Sequence, residues 1–64
     1  MKNFYRLDRV KMAEPDQFGP DGPQVGTKGV VVQRSVDPEG EFWYSVIFEG
    51  HHGNYWVTED MIDG

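Results

Sequence analysis

The chain contains no cysteine, so neither a disulfide framework nor a thiolate metal site can brace it. Its two histidines are adjacent, His51 and His52. Neighbouring residues of a hairpin loop point in different directions, which is poor chelating geometry. No apolar run approaches the roughly 20 residues of a membrane span, and Met1-Lys2-Asn3-Phe4 leads into no signal-peptide core. A helical pattern is missing too. Eight glycines and four prolines punctuate the chain, and no apolar 3.6-residue period survives beyond one turn. Cations are absent from a whole half: residues 35–64 hold no Lys or Arg against seven carboxylates.

Those absences narrow the function classes. At 64 residues and net charge −5, the length allows one domain, residues 1–64, and no second core. The acidic balance argues against direct binding of nucleic acid or anionic membranes. Lys2, Arg6, Arg9 and Lys11, interleaved with Phe4 and Tyr5, are too few to reverse that. Catalysis lacks its parts: Ser35 and Ser45 have no motif context, and no Gly-rich phosphate loop opens a helix. A barrel this small is filled by its own side chains. The expectation is therefore a non-enzymatic, cytoplasmic protein, monomeric when free, with no catalytic residue, cofactor or metal.

What is present is strand chemistry. Val10-Lys11-Met12 alternates in, out, in after a turn at Leu7-Asp8-Arg9. Gly29–Arg34 is β-branched, with Val30 and Val32 predicted on the core face. Phe42–Glu49 is the clearest strand, its even positions Phe42, Tyr44, Val46 and Phe48 forming an unbroken apolar face. Asn54–Val57 is a fourth strand, and Thr58 caps a single turn that leads to a short last one. The predicted core is Val10, Met12, Val30, Val32, Tyr44, Val46, Phe48, Trp56 and Ile62. Asp37-Pro38-Glu39-Gly40 is a tight turn and Gly50–Asn54 a glycine-bracketed hairpin loop. Ala13–Gly26, by contrast, is a long loop that Phe18 and Val25 are predicted to pin down. The fold class is thus all-β: a small, closed, five-stranded barrel with a long first loop.

Two stretches carry a resemblance. Val25-Gly26-Thr27-Lys28-Gly29-Val30-Val31-Val32 and Trp56-Val57-Thr58-Glu59-Asp60-Met61-Ile62, set in residues 10–62, resemble SH3-like barrels. Within that fold the chain is similar to acidic bacterial SH3-like antirepressors and to small SH3-like toxin-immunity proteins. In outline it also resembles SH3-like accessory subunits of photosynthetic and redox complexes. The eukaryotic peptide-binding pattern is missing: there is no Ala-Leu-Tyr-Asp-Tyr stretch, and the paired-Trp plus Pro-x-x-Tyr groove that stacks polyproline is absent. The resemblance implies an acidic module that inhibits or neutralises a basic partner protein, or alternatively an accessory subunit of a larger complex.

The candidate partner-binding residues lie on the odd positions of the best strand. Trp43 and Ile47 are flanked there by Glu41 and Glu49, an apolar centre with an acidic rim. Alternation in the next strand adds Tyr55 to the same patch. Glu59 and Asp60 extend the acidic surface, although charge in a first turn is also locally stabilising. Asp16, Phe18 and Asp21 on the long loop form the second candidate surface.

Overall fold

In the computed structural model, which describes residues 3–14 and 17–64, the β-branched and aromatic segments form five antiparallel strands. These are β1 (Arg9–Met12), β2 (Lys28–Val36), β3 (Phe42–Phe48), β4 (Tyr55–Thr58) and β5 (Ile62–Asp63). A single 3₁₀ turn, Glu59–Met61, separates the last two. One sheet runs in the order β4-β3-β2-β1-β5 and curls on itself. This is the five-stranded SH3-like barrel with a long first loop. The curl does not close: β4 and β5 are its two edges, and the 3₁₀ turn spans the gap between them. Lys2 of the basic stretch, and Pro15 and Asp16 of the long loop, lie outside the described residues.

The core lines the concave side of the curl. Tyr44, Val46 and Phe48 of β3 are buried as their alternation requires, together with Val10, Met12 and Ile62. Three assignments differ from expectation. Val31, not Val30 or Val32, is the buried valine of β2, because Gly29 and Val31 pair with Phe48 and Val46 on the core face, and beyond them the strand carries a bulge. Val31 pairs with Val46 while Gln33 pairs with Ser45, so Val32 is the extra residue that shifts the register. In β4 it is Val57 that is buried, while Trp56 keeps 42% of its surface exposed. Phe4, outside any strand, completes the core. Its ring meets Tyr44 edge-on at 5.5 Å, and its amide donates to the Tyr44 hydroxyl at 3.3 Å. That bond satisfies a phenol otherwise sealed from water.

The long loop is held differently from expectation. Phe18 does pack, its ring 4.9 Å from that of Tyr55. Val25 does not: it is 58% exposed. Its place is taken by the fully buried Pro23 and by the Gln24 amide, which donates to the carbonyls of Gly22 at 3.0 Å and Gly19 at 3.2 Å. Both ends of the loop are tied to the sheet region, through Ala13 N to Met61 O at 2.8 Å and Gly26 N to Met12 O at 2.8 Å. Thr58 occupies the cap position of the 3₁₀ turn in extended conformation, but its side chain makes no capping hydrogen bond.

A convex face with two charged ends

Residues paired across antiparallel strands share a face, so the register fixes what the convex side of the sheet displays. One row is Ser35, Trp43 and Thr58; the next is Gln33, Ser45 and Trp56; a third is Arg9, Val30 and Ile47. Trp43 and Ile47 are therefore on one face, as β3 alternation predicts. Tyr55 is not with them. It pairs with Val46, on the concave side, where its ring contacts Phe18, Phe48 at 5.9 Å and His51 at 6.2 Å. Trp56 stands where Tyr55 was expected. The convex face thus carries two tryptophans, one half-buried and one exposed, with Ile47 48% exposed beside them.

Ser45 lies in the middle of this face and is nevertheless buried. Trp43 and Ile47 flank it along the strand, and Gln33 and Trp56 flank it across. Its hydroxyl accepts a hydrogen bond from the Asn54 amide at 2.5 Å. A buried polar group so satisfied ties the hairpin loop to the sheet centre and fixes the floor between the two indoles.

The two ends of the face differ in charge. At the Trp43 end stand the Asp37–Glu41 turn and, because Thr58 pairs with Trp43, the Glu59–Asp60 turn. Glu39, Glu41 and Asp60 are exposed there. Glu59 is half-buried, and its Oε2 has no hydrogen-bond partner among the described residues. Asp37 is engaged: it accepts from Glu39 N at 3.0 Å, from Glu41 N at 2.9 Å and from the Trp43 indole at 3.1 Å. Gly40, with φ +85°, closes this turn by donating to Asp37 O at 3.0 Å.

These bonds hold the Asp37 carboxyl below the usual aspartate range, the Glu41 amide contributing most and the Trp43 indole next. A carboxyl depressed in the folded state supports folding above its unfolded value and loses that support as pH falls through the folded one. Asp37→Asn is therefore expected to lower the melting midpoint at neutral pH. The deficit relative to wild type should shrink as both are titrated below about pH 4. A deficit that stays constant down to pH 2 would show that the charge of Asp37 is not what orients Trp43.

The opposite end is basic, which sequence reasoning missed. A groove of about 840 Å³ is lined by Arg9, Lys11, Lys28, Val30, Val32, Ile47 and Glu49, among others. The period-two placement of Arg9 and Lys11 was the available signal; nothing in the sequence showed that Lys28 pairs directly with Lys11. Asp63 faces Lys11 from β5 and Glu49 follows Ile47, so two carboxylates border the three cations. Glu49 is thus a neighbour of the basic groove rather than part of the acidic end.

Among the described residues no group of three or more His, Asp or Glu side chains is placed to hold a metal ion, and no helix is long and apolar enough to cross a membrane. Nothing matches this chain among protein families, curated proteins or solved structures. The functional reading rests on the convex face itself.

Proposed function

We propose that this is a small acidic protein-binding module that inhibits or neutralises a basic partner, in the manner of an antirepressor or immunity protein, in a bacterial cytoplasm. The observation that carries the reading is the exposed Trp56 beside Trp43, at the end of the face bordered by Glu41, Glu59 and Asp60. Aromatic anchors supply slow dissociation. The carboxylates speed encounter with a positive surface and compete with the anions that surface normally binds.

The test starts from a pull-down with mass spectrometry to identify the partner, followed by association kinetics. Wild-type association should slow by about tenfold or more between low and physiological salt, with dissociation nearly constant. Reversing Glu41 and Asp60 to Lys, both solvated positions, should slow association similarly while leaving the melting midpoint unchanged.

Salt-insensitive association would favour the accessory-subunit reading. One observation speaks for that alternative. The basic groove at the far end of the same face gives the module two unlike contact surfaces, as a bridging subunit needs.

A further inference from the structure

We infer that β4 is an acceptor edge, to which an extended segment of the basic partner adds as a sixth strand. This rests on the reading above and supplies its mode of binding. Of the two edges left by the open curl, β5 has only two residues, too short a template, whereas β4 has four. An edge strand ordinarily carries a Lys, a Pro or a bulge that discourages pairing. β4 reads Tyr55-Trp56-Val57-Thr58, high in strand propensity and devoid of all three. Alternation in an antiparallel ladder turns the backbone groups of half these residues away from β3. Among the described residues no other segment makes a backbone hydrogen bond to them. Phe18 covers Tyr55 from the concave side only.

Charge selects the occupant. The edge runs directly into Glu59 and Asp60. A second copy of this chain, itself at net charge −5, would bring like charges together along any such pairing. A cationic segment meets the opposite situation: its alternate side chains lie over Trp56, and a Lys or Arg at its end comes beside the exposed Asp60 carboxylate. Main-chain pairing would supply affinity and the Trp56 face side-chain selectivity, as in other strand additions.

The test uses three capped octapeptides: alternating Lys-Val, the same peptide N-methylated on alternate amides, and alternating Glu-Val. Binding is followed by NMR, reading amide exchange at residues 55–58. The Lys-Val peptide should bind and protect amides of β4. Its methylated form, identical in charge and side chains, should bind weaker by about tenfold or more, since the donors along one of its edges are gone. The Glu-Val peptide should not bind. Because the decisive change is made in the peptide, folding of the protein is not at stake. Equal binding of the methylated peptide overturns strand addition but leaves acidic recognition standing. If neither basic peptide binds, recognition of a basic segment falls as well. Concentration-dependent protection of β4 without peptide would assign the edge to a second copy and overturn the proposal.

Discussion

Gly29→Ala is expected to lower the melting midpoint by about 10 °C or more. Gly29 is buried in β2, paired with Val10 on one side and Phe48 on the other. A Cβ there would lie 2.7 Å from Val46 Cγ1, 2.9 Å from the Ile47 carbonyl oxygen and 2.9 Å from Phe48 Cδ1. One obstacle is backbone in the adjoining strand and cannot rotate away, so β2 and β3 would have to separate where the sheet bends. Overpacking of this kind costs about 1–3 kcal/mol, occasionally more. A domain of this size has little stability to spare. Gly26→Ala is the control. Gly26 has φ +92° and open space where its Cβ would stand, so Ala there carries only the backbone cost of about 1–2 kcal/mol. Should Gly29→Ala melt with or above Gly26→Ala, close approach of β2 and β3 is not what fixes the curl.

How much of this was legible in the sequence depended on whether parity survived along each strand. The seven residues of β3 turn to alternate faces with no bulge in that strand, so Tyr44, Val46 and Phe48 inside and Ile47 outside follow from one assumption. In β2 it gives no answer, because both the inward parity of Gly29 and Val31 and its reversal at the Val32 bulge are properties of pairing with β3. Three consecutive valines offer no side-chain contrast to reveal it. β4 fails for a related reason. Tyr55-Trp56-Val57 is apolar at both parities, and only the Val46–Tyr55 pairing, set by the Gly50–Asn54 loop, decides which ring goes inward. Pro23 and Phe4 escaped because each is buried by irregular chain, which has no period to read. The acidic end was legible as composition. That three of the six cations gather at one end of the same face was not, since it needs the β1–β2 register.

Trp56→Ala and Trp43→Ala should separate binding from folding on the convex face. Trp56 is 42% exposed and no hydrogen bond of its indole is formed among the described residues, so its truncation is expected to cost little stability, under about 1 kcal/mol. If it anchors the partner, the same change weakens binding by about 2 kcal/mol or more, roughly 30-fold. Trp43 is half-buried and donates to Asp37, so its removal should affect both quantities: the turn at Asp37–Glu41 loses a tie, and the aromatic floor loses its second ring. Tyr55→Phe is the reference for the concave side. It keeps the ring that meets Phe18 and Phe48 edge-on and should leave binding unchanged. Unfolding and titration against the identified partner measure all three. An outcome in which Trp56→Ala melts far below wild type yet binds the partner normally would move the contact surface to the other end of the face. There Arg9, Lys11 and Lys28 line a groove floored by Val30 and Ile47, and the partner would have to be acidic.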